Sequence, residues 1–189
     1  MALYETERLI LRHLLPSDDQ GMFELDSDPE VHRYLGGKPV QTILESQQII
    51  ERVCKQYAEN GIGRWAVIEK STNKFIGWSG LKLCTDRRNG QSNYYDLGYR
   101  LIPSAWGKGY ATECSMPAIH HTFEILKLSA LYANAMKENG ASRRVLEKLG
   151  FSFVEYYLDE SFGECAWYEL TSKSSTRKVV SLNAPIILR

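Results

Sequence analysis

The segment 106–111 (WGKGYA) carries the clearest chemical signal in this chain of 189 residues. Gly107 and Gly109 permit positive φ and a close approach of the backbone, and a predicted helix follows them. A glycine turn that opens a helix presents free N–H groups to an anion such as phosphate. It is not a Walker P-loop, since no Ser or Thr follows Lys108, nor a dinucleotide fingerprint, since Thr112 stands at the third glycine position. A turn that needs glycine for geometry alone is the alternative.

A second group of residues has side chains that can move protons. Asp96 lies in the predicted strand 94–102, two residues before Gly98, and Ser142 follows Asn139 at the start of a predicted helix. A carboxylate can take a proton from an amine, directly or through water, and a hydroxyl can give one to a leaving group. A strand acid that faces solvent and a hydrogen bond in the first turn of the helix are the alternatives.

Three blocks of sequence, in this order, resemble the GNAT superfamily of acyl-CoA-dependent N-acyltransferases, and within it the ribosomal-protein N-acetyltransferase-like branch. The blocks are the opening 5–12 (ETERLILR), the strand and turn 97–112 (LGYRLIPSAWGKGYAT) and the stretch 139–151 (NGASRRVLEKLGF). They span nearly all of residues 5–170. The chain departs from the family pattern at Trp106, where relatives have Gln or Arg.

The resemblance implies an acetyl-CoA-dependent N-acetyltransferase, in which a primary amine attacks the thioester directly through a tetrahedral intermediate. It implies that Asp96 is the base and that Ser142 protonates the thiolate, with Tyr156 or Tyr157 as alternative acids. A bulge at Gly98 would free a backbone N–H for the oxyanion. The residues implied to bind coenzyme A are Leu101, Pro103, Trp106, Gly107, Lys108, Gly109, Tyr110, Ala111, Thr112, Asn139, Ser142 and Arg143.

Two acidic segments bear on the acceptor. Residues 18–30 contain six acids and no base, and residues 155–169 contain five acids and no base. In the family both regions border the acceptor groove, so the pattern predicts attraction of a cationic amine: a protein N-terminus, a polyamine or an amino-bearing small molecule. Helix caps and solubility charges are the alternative. A non-catalytic acyl-CoA-binding or sensor module is the alternative function.

Composition excludes several other classes. Lys+Arg and Asp+Glu both number 23, so no overall positive field exists to hold nucleic acid or an anionic membrane. No apolar run reaches the roughly 18 residues of a membrane span, and the first residues lack a signal-peptide pattern. The four cysteines are about thirty or more residues apart, which predicts free thiols rather than a zinc site or disulfides. The chain is therefore predicted to be cytoplasmic.

These residues need elements that bring them together. The hydrophobic periods predict the strands and helices of one α+β domain over 1–171. The resemblance to the GNAT superfamily implies how they assemble: a mixed, mostly antiparallel sheet of six or seven strands, helices on both faces, and a cleft between splayed parallel strands near 94–102 and 131–136. Residues 172–189 are predicted as a tail that packs on the body or on a second subunit of a homodimer. The predicted strands are 4–15, 64–69, 75–81, 94–102, 131–136, 151–157 and 166–170, and the helices are 18–26, 28–35, 42–60, 112–126 and 141–149.

Overall fold

The computed structural model describes residues 2–173 and 187–188. The helices are α1 (Asp19–Ser27), α2 (Pro29–His32), α3 (Ile43–Asn60), α4 (Tyr110–His120) and α5 (Gly140–Leu149). The strands are β1 (Ala2–Glu5), β2 (Leu9–His13), β3 (Arg64–Glu69), β4 (Lys74–Cys84), β5 (Tyr94–Leu101), β6 (Ala130–Met136), β7 (Ser152–Asp159), β8 (Gly163–Thr171) and β9 (Ile187–Leu188). Most of the predicted tail lies outside the described residues. No helix in the described part is long and apolar enough to cross a membrane.

Over the described residues the strands form a nine-stranded sheet in the order β7-β8-β6-β5-β4-β3-β2-β1-β9. Among the described strands only β5 and β6 are parallel, so the predicted mixed, mostly antiparallel sheet is confirmed. The predicted number of six or seven strands is wrong for two reasons. The segment 4–15 is a hairpin rather than one strand, because Thr6 Oγ1 accepts the Leu9 N–H at 3.1 Å and turns the chain. In addition, β9 pairs with β1.

Helices cover both faces of the sheet, as predicted. Strand β3 shows this by alternation, since successive side chains of a strand point to opposite faces. Trp65 and Val67 belong to the core under α4 and α5, whereas Ala66 and Ile68 belong to the core under α1, α2 and α3. The two cores hold opposite sides of one central sheet.

The sheet opens between β5 and β6, which confirms the predicted splayed cleft. These strands share a single residue pair, Asp96 with Tyr132, and β6 otherwise pairs along its length with β8. The Ile102 N–H donates to the Ile76 carbonyl at 3.0 Å. Because antiparallel neighbours alternate in direction, the backbone N–H groups of Tyr99 and Leu101 then point away from β4 and toward the gap.

The bulge predicted at Gly98 is wrong, since β4 and β5 pair without a register shift from one end to the other. Arg64 on β3, Gly80 on β4 and Gly98 on β5 instead lie opposite one another in a row across the sheet. A Cβ at Gly98 would lie 2.7 Å from Arg64 Nη2, and a Cβ at Gly80 would lie 2.7 Å from the Gly63 carbonyl oxygen. Gly98 thus leaves the space that the Arg64 guanidinium fills after its side chain crosses β4, whereas Gly80 permits a close approach to the backbone of β3.

We expect Gly98→Ala to lower the free energy of unfolding by about 1–3 kcal/mol, because the added methyl group displaces a guanidinium that is fixed by hydrogen bonds. Urea unfolding measures the loss. Gly140→Ala is the matched control: it begins α5, and its Cβ would lie 3.3 Å from the flexible Arg144 side chain. An equal loss in both variants would contradict the explanation.

Candidate active site

A cleft of about 490 Å³ occupies the gap between β5 and β6. It brings together four residues that sequence analysis singled out: Asp96, Gly98, Asn139 and Ser142. The first two lie on β5, and the other two lie where the chain leaves β6 and begins α5. Because β5 and β6 are parallel, their carboxyl ends meet at one edge of the sheet, and the glycine turn after β5 lies at that same edge.

The two faces of β5 differ in chemistry. Leu97 and Leu101 face the core under α4 and α5, so Tyr99 projects to that side, where it meets α5. Asp96 and Arg100 project to the opposite side, on which α1 packs. The gap therefore has a hydroxyl pair on one face of the sheet and charged groups on the other.

The hydroxyl pair consists of Tyr99 and Ser142. The Tyr99 hydroxyl lies 2.9 Å from Ser142 Oγ and donates to the Ser142 carbonyl at 3.0 Å. Asn139 Oδ1 accepts the Ser142 N–H at 3.0 Å and caps α5, which fixes the serine. Burial raises the pKa of Tyr99, so the phenol keeps its proton at neutral pH. Sequence analysis missed Tyr99, because only the fold places α5 over this face of β5.

The alternative acids lie elsewhere. Tyr156 is exposed on β7, where Lys137 Nζ and the Arg143 guanidinium lie 4.9 and 5.5 Å from its ring. Tyr157 packs its ring 5.6 Å from that of Trp167. Neither residue lines the cleft.

Asp96 is buried and takes part in an ion pair. Its Oδ2 lies 2.6 Å from Arg64 Nη2, and its Oδ1 accepts from Asn134 Nδ2 at 3.3 Å. Arg64 Nη1 donates to the Asp96 and Gly80 carbonyls. Both carboxylate oxygens thus have partners, and the pair ties β3 to the rim of the gap. The role of Asp96 as the base stays a prediction.

The glycine turn has the geometry that anion binding needs. Gly107 and Gly109 have φ of 72° and 83°, in the left-handed region that favours glycine. The first hydrogen bond of α4 runs from the Glu113 N–H to the Gly109 carbonyl at 3.1 Å. The N–H groups of residues 110–112 come before it and are free to hold a ligand. A Cβ at Gly107 would meet nothing within 4 Å, so the turn is open.

Arg8 also reaches this turn, although sequence analysis gave it no role. Its Nη1 donates to the Lys108 carbonyl at 3.0 Å, and its guanidinium lies 4.4 Å from the Tyr110 ring. Glu113 Oε2 lies 2.6 Å from Nη2 and holds the side chain in place. The contact joins residues about a hundred positions apart, so no local pattern predicts it. The block 5–12 was the one feature of the sequence that drew attention to Arg8.

Trp106 and its neighbours form the path from β5 to the turn. The Trp106 indole is exposed, and its N–H donates to the Leu101 carbonyl at 2.7 Å. Pro103 begins a short 3-10 turn that ends at Ala105. The Leu101 carbonyl is thus engaged by the indole, whereas the Leu101 N–H remains directed at the gap, where Leu101 was predicted to line the cofactor.

Arg143 is held on the opposite side of α5 from the turn. Its Nε donates to the Tyr168 hydroxyl at 3.1 Å and its Nη1 donates to the Lys137 carbonyl at 3.2 Å. The structure does not bring this side chain into the cleft with Asn139 and Ser142. Its part in binding the cofactor stays a prediction, since the residues of the glycine turn do not line this cleft either.

The predicted acidic walls are absent from the cleft, whose lining includes no acid of either segment. Their carboxylates serve the fold. Asp28 Oδ1 caps α2 by accepting the Glu30 N–H at 2.8 Å. The acids of these segments that pair with an arginine or lysine are Asp18 with Arg12, Asp26 with Arg100, Glu30 with Arg33, Asp159 with Arg88 and Glu164 with Lys137.

All four cysteines are free, as predicted. Cys84 and Cys165 line the cleft. Burial raises the pKa of Cys84, and it raises the pKa of Cys165 to about 11. A thiol reacts as its thiolate, so both are poor nucleophiles at neutral pH.

Comparison with known proteins identifies the class. A family model described as "Acetyltransferase (GNAT) domain" matches residues 8–152. The uncharacterized N-acetyltransferase YoaA of Bacillus subtilis (strain 168) is 31% identical over 149 residues, which are 79% of this chain and 82% of YoaA. The FsC-acetyl coenzyme A-N(2)-transacetylase of Aspergillus fumigatus is 30% identical over 160 residues, which are 82% of this chain and 67% of that protein.

The solved structures agree on the fold. Mycobacterium smegmatis RimJ in complex with CoA-disulfide superposes with a TM-score of 0.76 at 17% identity, over 96% of this chain and 95% of that chain. The fold is thus the α+β GNAT fold. The chain belongs to the GNAT acetyltransferase family, and it is an acetyltransferase.

We expect the Arg64–Asp96 pair to be a coupled structural unit. Asp96→Asn leaves a buried guanidinium without its counter-charge and should lower the free energy of unfolding by about 3–5 kcal/mol. In a double-mutant cycle with Arg64→Met, the coupling should be about 0.5–3 kcal/mol, measured by urea unfolding. The exposed pair of Lys55 and Glu59, with Nζ and Oε1 3.6 Å apart, is the control and should show almost none. Additive losses at Arg64 and Asp96 would refute the coupling.

Proposed function

We propose that this acetyltransferase moves an acetyl group from acetyl-CoA to a primary amine at the gap between β5 and β6. The observation that carries the proposal is one continuous edge. It begins at the N–H groups of the glycine turn, follows the free side of β5 and ends at the Tyr99–Ser142 pair. A phosphate group, an extended amide chain and a thioester could bind along it in that order.

The described residues fit coenzyme A at each step. The N–H groups that begin α4, with Lys108 and Arg8 beside them, would hold the pyrophosphate. The N–H groups of Tyr99 and Leu101 would pair with the amides of the pantetheine arm as an added strand would. Asn139 and Ser142, at the capped start of α5, would then lie at the thioester end.

Bound acetyl-CoA supplies a thioester whose carbonyl carbon accepts the amine. As the C–N bond forms and the C–S bond breaks, the Tyr99 N–H would hold the negative charge on the acyl oxygen. Ser142, relayed by the Tyr99 hydroxyl, would give a proton to the departing sulfur. The proton of the amine would leave through water beside Asp96, on the opposite face of the sheet.

The cleft favours direct attack over an acetyl-cysteine route. Cys84 and Cys165 keep their protons at neutral pH because burial raises the pKa of both.

The ribosomal-protein N-acetyltransferase-like branch is supported by the three sequence blocks and by the RimJ-like fold. A protein N-terminus or an amino-bearing small molecule is the proposed acceptor. The cytoplasmic location, the division into domain and tail, and the homodimer stay predictions.

We expect acetyl-CoA to raise the thermal stability of the wild type, whereas NAD and ATP do not. A ligand that binds only the folded state adds about 2.7 kcal/mol at a hundred times Kd. Gly109→Asp should abolish the rise, because it puts a side chain and a negative charge where the phosphate binds. Gly90→Asp is the control, since Gly90 also has a positive φ of 75° and open surroundings. No rise at millimolar acetyl-CoA would refute the assignment of the turn.

We expect Tyr99→Phe and Ser142→Ala to reduce kcat by about 100-fold while acetyl-CoA still binds, because each removes a hydroxyl from the proton path. Release of free thiol measures kcat, and calorimetry measures binding. Tyr95→Phe, which changes another tyrosine of β5, is the matched control. Unchanged kcat in both variants would exclude the pair as the acid. Binding without turnover in the wild type, for any amine, would favour the sensor alternative.

A further inference from the structure

A second cavity of about 260 Å³ adjoins the cleft on the face of the sheet that carries Asp96. Arg64, Trp78 and Arg100 line both spaces and form the boundary between them. The rest of its lining consists of four apolar side chains and one carboxylate, from Leu14, Met22, Ile49, Val53 and Asp26. A cavity of about 150 Å³ already holds benzene, so this space accommodates a branched or aromatic side chain.

The Arg100 guanidinium is paired on one side, and its other edge has no partner among the described residues. Its Nη1 is paired with Oδ1 of Asp26, whose side chain is 1% exposed. Its guanidinium lies 5.1 Å from the Trp78 ring. Within the described residues no hydrogen bond occupies its Nε or Nη2. Asp26 thus orients the guanidinium and leaves two donors toward the cavities.

Arg64 offers no such edge, because its Nη groups are committed to Asp96 and Gly80. Arg100 therefore offers a free guanidinium edge on this face of the sheet, where Lys82 of β4 also lines the cleft but carries a point-like ammonium instead. A guanidinium edge with two donors matches a carboxylate, to which it makes two parallel charge-assisted hydrogen bonds. A lone ammonium, as in a simple alkylamine, would be repelled there.

The position of Arg100 along β5 sets the distance between the amine and the carboxylate of the ligand. Arg100 lies two residues beyond Gly98 on the same face, a separation of about 6.7 Å between Cα atoms. An arginine side chain spans that distance easily. An amine nitrogen in the gap and a carboxylate bound to Arg100 can therefore be substituents of the same carbon atom of one ligand.

We propose that the acceptor is an α-amino acid, or a small molecule with the same amine and carboxylate, that carries an apolar side chain. Arg100 binds its carboxylate, and the cavity beyond Trp78 receives its side chain. This inference rests on the proposed function and names its substrate class. The Arg64–Asp96 and Arg100–Asp26 pairs are together neutral, as is the zwitterion that would bind between them.

The first test compares three acceptors with the wild-type enzyme: L-leucine, L-leucinamide and 3-methylbutylamine. These share the branched side chain and differ in the group that faces Arg100. We expect kcat/KM, expressed per concentration of neutral amine, to be at least about ten-fold higher for leucine. Equal values, or a preference for the amide or the alkylamine, would overturn the inference and leave the proposed function intact.

Two variants test the residues. Arg100→Lys keeps the charge beside Asp26 and loses the planar edge, so it should raise KM for leucine about ten-fold and leave that for leucinamide unchanged. Arg33→Lys, which changes an exposed arginine on the flank of α2, is the matched control. Val53→Phe fills the cavity and should reduce kcat/KM for leucine but not for alanine. Equal effects on leucine and leucinamide would show a merely structural role and overturn the inference.

Calorimetry separates the two failures. Leucine is titrated into the wild type and the Arg100→Lys variant, each saturated with CoA. Binding to the wild type that weakens about ten-fold in the variant supports the inference even if no acetyl group is transferred, in which case only the proposed function fails. No binding of leucine to the wild type would overturn the inference, whether or not another amine is acetylated.

Discussion

The separation of β5 from β6 is the constraint on which the rest of this structure depends. Beyond a single residue pair between them, β5 keeps its pairing with β4 and β6 keeps its pairing with β8, so the facing edges of β5 and β6 are left unpaired. The free edge of β5 would be a liability if it were exposed to another chain, as unpaired strand edges are. Here it lies in a cleft between helices of the two faces, where N–H groups directed at a gap can serve a ligand instead.

Buried charge surrounds this gap, and each charge is matched. Arg64 crosses β4 and reaches Asp96 in the space that Gly98 leaves. Arg100 reaches Asp26 on α1, so helix and sheet are joined on the acceptor side. Desolvation penalises unpaired ions far more than paired ones. The position of this face of the cleft therefore depends on both ion pairs remaining intact. Among the described residues, the same arrangement leaves Nε and Nη2 of Arg100 without a hydrogen-bond partner.

Much of the fold was accessible from periodicity and turn chemistry. The predicted helix 42–60 closely matches α3, which Thr42 caps and Gly61 ends. Hydrophobic runs also predicted the strands 94–102 and 131–136, and the family resemblance implied that they are parallel. The glycine turn was also predictable, because positive φ at alternate residues before a helix depends on local sequence. The strand count and the bulge at Gly98 were wrong, since register across β3, β4 and β5 decides whether a glycine bends a strand or makes room for a neighbour.

The sequence by itself determined the elements, the turn that begins α4 and the membership of a family, since these depend on residues close together in the chain or on patterns shared with relatives. Only the tertiary structure decided which groups meet. It paired Tyr99 with Ser142, placed Arg8 on the turn, kept the acids of the two acidic segments out of the lining of the cleft, and set Arg100 beside Trp78. The physical reason is that such contacts depend on strand register and helix packing, which join residues tens of positions apart and leave no local mark in the chain.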